Sequence, residues 1–133
     1  MLGLVIATHS RLADELVSAA QMIIGPNDRV RPVSISAECG VEEVRQAIAA
    51  AIQAVDQDGD GVVIMTDMFG GTPSNISLSF LDPDRIEVVT GVNLPMVLKF
   101  FNSPERLSAG QLAALLRAYG QQSIALASDF LPK

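Results

Sequence analysis

Apolar and polar positions along this chain follow two periods that take turns. Residues 2–7 form a short continuous apolar run with β-branched members, the pattern of a strand buried on both faces. Leu12, Leu16, Ala19, Ala20 and Ile23 then recur at intervals of three and four. That spacing predicts an amphipathic helix, with Ser10 placed to cap it. Gly25-Pro26-Asn27-Asp28 stops the helix. Val30–Ile35 predicts a second strand, and Pro32, which has no N–H to donate, assigns it to a sheet edge. Val41, Val44, Ile48, Ile52 and Val55 predict a second helix, and residues 62–65 a third buried strand. A helix over 73–80, a strand over Ile86–Thr90 and a helix opened by Asn93 or Pro95 and running through Phe101 follow. Ser108 is placed to cap a last helix carrying Leu112, Leu115, Leu116 and Tyr119, with Gly120 as its stop. Residues 123–127 read either as a final strand or as more of that helix.

Strand and helix alternate from the start, which predicts an α/β fold: a doubly wound, mostly parallel sheet of four strands with helices on both faces. Ligands of such sheets sit beyond the carboxyl ends of the strands, where the strand order reverses. Two loops fall at that kind of position. One begins at His9, and the other is the glycine-rich stretch after Met65.

The length of 133 residues suits a single domain over 1–133. With 49% apolar and 18% charged residues, the chain can build a core of its own and does not have the composition of a disordered segment. The net charge of -6 argues against a general nucleic-acid binder, which needs a basic stripe. No apolar run reaches membrane-spanning length, and the apolar start lacks a basic flank, so a soluble cytoplasmic protein without membrane insertion is expected.

Cys39 is the only cysteine and cannot form an internal disulfide, which favours a reducing compartment. Glu38, Glu42 and Glu43 nearby in sequence disfavour its thiolate, so it reads as a small filler residue. One cysteine and one histidine fall short of a zinc site, and the acidic turn over 56–61 lacks the spacing of a calcium loop. No metal or cofactor is expected.

His9 is the only histidine. If the first and third strands are neighbours, Asp67 emerges beside it. A carboxylate that accepts the imidazole Nδ1–H fixes the tautomer and leaves Nε2 as a free, basic nitrogen. Such a nitrogen is a nucleophile near neutral pH. Gly70 and Gly71 let backbone approach a ligand closely, Thr72 is placed as a helix cap, and Pro73 suits the first turn. Thr72, Ser74 and Asn75 add donors, so the loop has the groups to hold the charge of a transferred phosphoryl group. Arg11 is expected in solvent. Met68 and Phe69 read equally as a docking rim and as a cover for the sheet edge.

Two other chemistries fit less well. A receiver domain would phosphorylate Asp67 itself, but it needs an acidic cluster after the first strand, where this chain reads Ala7-Thr8-His9-Ser10. A hydrolase would pair His9 with Ser10 or Ser74, and neither serine lies in a nucleophile-elbow context.

"LVIATHSRLADEL", "VIMTDMFGGTPSN" and "VTGVNLPMVLKF", in this order, make the chain similar to the mannose-family enzyme IIA domain of the bacterial phosphotransferase system. The likeness runs from Met1 to about Tyr119. It implies that His9 is phosphorylated on Nε2, that Asp67 is its hydrogen-bonding partner, and that Gly70, Gly71, Thr72, Ser74 and Asn75 bound the phosphate site, with Ser10 and Asn93 in support. It implies the phosphocarrier HPr as donor and a IIB component as acceptor, on the way to sugar uptake. A standalone regulatory switch that binds a target protein according to its phosphorylation state is the alternative. The resemblance also implies a homodimer that exchanges a strand near the C-terminus, which would give residues 123–127 a place at the sheet edge.

Overall fold

The two most apolar runs of the sequence lie side by side at the centre of a parallel sheet. The computed structural model describes residues 1–104 and 106–132. Strands β1 (Gly3–His9), β2 (Val30–Ile35), β3 (Val62–Thr66) and β4 (Ile86–Thr90) form one sheet in the order β2-β1-β3-β4, and every pairing is parallel. Pro32 sits in the edge strand β2, as its missing N–H requires.

The helices cover both faces. α1 (Leu12–Ile24), α4 (Leu94–Phe101) and α5 (Ala109–Gln122) close one side over Leu4, Ile6, Val63 and Met65. α2 (Val41–Val55) and α3 (Thr72–Leu78) close the other over Val5, Ala7, Val62 and Ile64. Alternate residues of β1 and β3 thus point into two separate cores, which is why neither strand carries a polar stripe. Burial of each large aliphatic side chain contributes roughly 1.5–3 kcal/mol relative to exposure.

The chain leaves β1 toward β2, then crosses back to place β3 on the other side of β1. The strand order therefore reverses between β1 and β3, and their carboxyl ends flank a crevice there. His9 is the last residue of β1, and Asp67 follows β3 directly.

Several ends differ from expectation. Ser10 does not cap α1: it adopts a left-handed conformation with φ 54°, and the cap position is Arg11. The free N–H groups of the first turn go elsewhere. Ala13 donates to Thr8 Oγ1 at 2.7 Å and Asp14 to Ser34 Oγ at 3.3 Å, so side chains of β1 and β2 do the capping. Gly71, not Thr72, is the cap residue of α3, which closes at Leu78. Ser108 caps α5 with a full capping box to Gln111.

Gly120 does not end α5, which runs on to Gln122. The glycine serves packing instead, because a Cβ there would lie 2.5 Å from the Met96 side chain of α4. Residues 124–126 are in neither strand nor helix, and a single 3-10 turn follows at Ala127–Phe130. A strand needs a backbone to pair with, and among the described residues no strand of this chain lies along the outer edge of β4. The acidic turn over 56–61 is held by its own contacts. Asp56 accepts from the Gly61 N–H and pairs with Arg85, and Asp58 pairs with Arg29.

Candidate active site

The register of β1 and β3 brings the two polar ends together. Ala7 is paired with Thr66, so the next residues along each strand emerge at the same edge. Asp67 Oδ2 lies 2.8 Å from His9 Nδ1, and the same oxygen accepts the His9 backbone N–H at 3.0 Å. One carboxylate oxygen thus holds both the ring and the main chain of His9. The other, Oδ1, accepts the Met68 N–H at 3.1 Å and fixes the carboxylate in turn.

Burial pushes the Asp67 carboxyl up. The ring and backbone N–H donors of His9 outweigh that and hold it below its ordinary value. An ionised carboxylate at this distance can only accept, so Nδ1 carries a proton, and in the neutral imidazole the lone pair is then on Nε2. His9 is half-exposed and Asp67 mostly covered, at 49% and 14% of their side-chain surfaces. The imidazole is therefore partly open to solvent while the carboxylate that holds it is sheltered.

His9, Ser10, Arg11, Ser34, Cys39 and Thr72 line an open cleft of about 550 Å³. Ser10 N donates to the Ile35 carbonyl at 2.8 Å, which ties the turn after His9 to β2. Gly71 lies against the Cε1–Nε2 edge of the imidazole, while Asp67 holds Nδ1. Thr72 and Ser74 begin α3, and helix geometry leaves their N–H groups without intrahelical acceptors; Pro73 has none to satisfy.

The expected site residues divide into two sets. His9, Asp67, Ser10, Gly71 and Thr72 are gathered at one edge. Gly70, at φ 90°, makes the turn, and the exposed Asn75 donates from Nδ2 to its carbonyl at 3.3 Å. Both shape the loop. Ser74 offers no hydroxyl to the cleft: it is fully buried, and its Oγ has no partner among the described residues, as also holds for Ser77 and Thr66. Asn93 is a brace between helices. Its Oδ1 accepts the Met96 N–H at 3.1 Å, and its Nδ2 donates to the Gly120 carbonyl at 3.1 Å.

Ser34 and Thr8 were not expected at the site. Both anchor α1 beside His9. The only sequence signal was a hydroxyl at the end of each of two apolar strands. Met68 and Phe69 are exposed, and Phe69 lines an open groove together with Glu87, Val88, Val89 and Thr90 of the edge strand β4. Among the described residues no serine hydroxyl bonds the imidazole, and no group of three or more His, Cys, Asp or Glu side chains is gathered around a metal position.

The EIIA-man family model, described as "PTS system fructose IIA component", matches residues 3–116. The fructose-specific EIIA component of Bacillus subtilis is 29% identical over 100% of this chain and 91% of its own length. The mannose-specific EIIAB component of Escherichia coli is 27% identical over 92% of this chain, which spans only 38% of that longer protein. A mannose/sorbose-specific IIA subunit from Enterococcus faecalis superposes with a TM-score of 0.85 at 30% identity, covering 99% of this chain and 97% of that one.

Proposed function

This chain belongs to the EIIA-man family of phosphotransferase-system IIA components, and on that premise we propose that it carries a phosphoryl group on His9. The donor is the phospho form of HPr, and the acceptor is a IIB component on the route to sugar uptake in the cytoplasm. The observation that carries the reading is the Asp67–His9 contact at 2.8 Å.

In the first step Nε2 of His9 attacks phosphorus, a new P–N bond forms, and the bond to the donor's nitrogen breaks. The electron pair leaves with that nitrogen, and no external proton is consumed at His9. Nδ1 keeps its proton throughout, and Asp67 offsets the positive charge that grows on the ring. The free N–H groups at the start of α3 and the Thr72 hydroxyl are suited to stabilise the phosphoryl oxygens. The second step reverses the first toward the acceptor. The chain works as one domain over residues 1–133. It forms a homodimer in which residues 123–127 of one copy pair with the open edge of β4 in the other, which supplies the backbone partner the segment lacks in a single chain.

Incubation with labelled phosphoenolpyruvate, enzyme I and HPr tests this reading. Label should enter the wild type, resist alkali, be lost in acid and map to His9. His9→Ala should take up none while keeping its circular-dichroism spectrum. Label on the His9→Ala protein would overturn the reading. Addition of a IIB component then separates carrier from switch: a carrier is discharged, and a regulatory protein retains its label.

A further inference from the structure

Gly71 has ordinary extended backbone angles, φ -86° and ψ 171°, which any residue adopts. Its lack of a side chain is therefore not a requirement of the fold at that point. The requirement is space. A Cβ built on Gly71 would lie 2.6 Å from Cε1 and 3.1 Å from Nε2 of His9, with the Met68 side chain 3.7 Å away. The first of these contacts is far inside van der Waals distance.

We propose that Gly71 is the positioning residue for the nucleophile: its bare Cα is the wall that lets the imidazole lie against Asp67 with Nε2 open to the cleft. The ring is held between two surfaces, a carboxylate oxygen on Nδ1 and the Gly71 backbone along the Cε1–Nε2 edge. A methyl group on Gly71 is relieved most cheaply by rotation of the ring, because both close contacts are to this side-chain end and the Met68 side chain at 3.7 Å is in ordinary contact. That rotation lengthens the 2.8 Å bond to Asp67. The imidazole then loses the partner that keeps the proton on Nδ1, and Nε2 becomes the protonated nitrogen in part of the population. Gly71 thus acts through His9 and contributes no reacting group of its own. Gly70 next to it answers to a different demand, since its φ of 90° calls for glycine on backbone grounds.

This rests on His9 being the phosphoryl acceptor, so the test reads the ring separately from the transfer. The protein has one histidine, and ¹⁵N labelling gives one pair of imidazole signals. Gly71→Ala and the control Gly110→Ala, in α5, are compared with wild type for melting temperature, imidazole tautomer and rate of phosphoryl uptake from phospho-HPr. The expected result for Gly71→Ala is a cooperative melt, a shift from the Nδ1–H toward the Nε2–H tautomer and uptake slowed at least tenfold. Gly110→Ala should match wild type in tautomer and stay within twofold in rate. An unchanged tautomer in folded Gly71→Ala overturns the proposal, whether or not uptake falls. A Gly71→Ala protein that fails to melt cooperatively overturns it too, because the glycine is then a folding requirement. If wild type takes up no phosphoryl group, the carrier reading fails, and the tautomer comparison still decides the role of Gly71.

Discussion

A single oxygen, Oδ2 of Asp67, binds His9 twice: the ring at Nδ1 over 2.8 Å and the main-chain N–H over 3.0 Å. The two bonds lock the backbone at the end of β1 and the χ angles of the ring together. A ring oriented only by its neighbours' bulk would keep rotamer freedom, and a nucleophile with rotamer freedom spends part of its time misaligned.

Removal of that oxygen should therefore slow transfer without moving it. Asp67→Ala is expected to lower the rate of phosphoryl uptake about 10–100-fold, the usual cost of losing a group that orients a reactive imidazole. Label should still map to His9. Initial rates over a series of phospho-HPr concentrations give the measurement, and a wild-type rate in Asp67→Ala would refute the orienting role.

The same contact has a pH signature. The folded-state carboxyl of Asp67 titrates below its ordinary value because the His9 donors outweigh the effect of burial. A carboxyl lowered by folding adds stability that is fully present above its unfolded value and is lost as pH falls through the folded one. Urea unfolding of wild type and Asp67→Ala should show a gap that narrows steadily as pH falls below about 5. A gap that widens in acid would contradict the assignment.

Ser10 holds a left-handed conformation, φ 54°, directly after His9, and is the sole non-glycine residue to do so among the described residues. That conformation costs a side-chain-bearing residue roughly 1–2 kcal/mol. Ser10→Gly should leave stability unchanged or raise it by up to about 1 kcal/mol, whereas the β-branched Ser10→Val should lose at least about 1 kcal/mol. Denaturant midpoints compare the two directly, and equal midpoints would remove the turn as a source of strain.

Much of this protein was legible in its hydrophobic spacing. The buried runs over 62–65 and 2–7, the α2 stripe of Val44, Ile48 and Val55, and the edge placement of Pro32 follow from burial and from one missing N–H, both local properties. The ends of elements were less legible. Ser10 had the right chemistry for a cap at α1, yet Thr8 and Ser34 took the free N–H groups. A cap is chosen by whichever oxygen the tertiary structure brings within reach, and Ser34 comes from another strand. Gly120 was misleading for a related reason: its small size serves Met96 of α4 and not a helix end.

By itself the sequence determined that two buried strands would deliver a histidine and an aspartate to the ends of their runs, because periodicity is a property of consecutive residues. Which groups then meet was decided only in three dimensions. The order β2-β1-β3-β4 set His9 against Asp67 and laid Gly71 along the imidazole, while the packing of α3 on the sheet buried the Ser74 hydroxyl. Contacts between residues some sixty positions apart depend on strand order and helix packing, and no local pattern of apolar and polar residues encodes either.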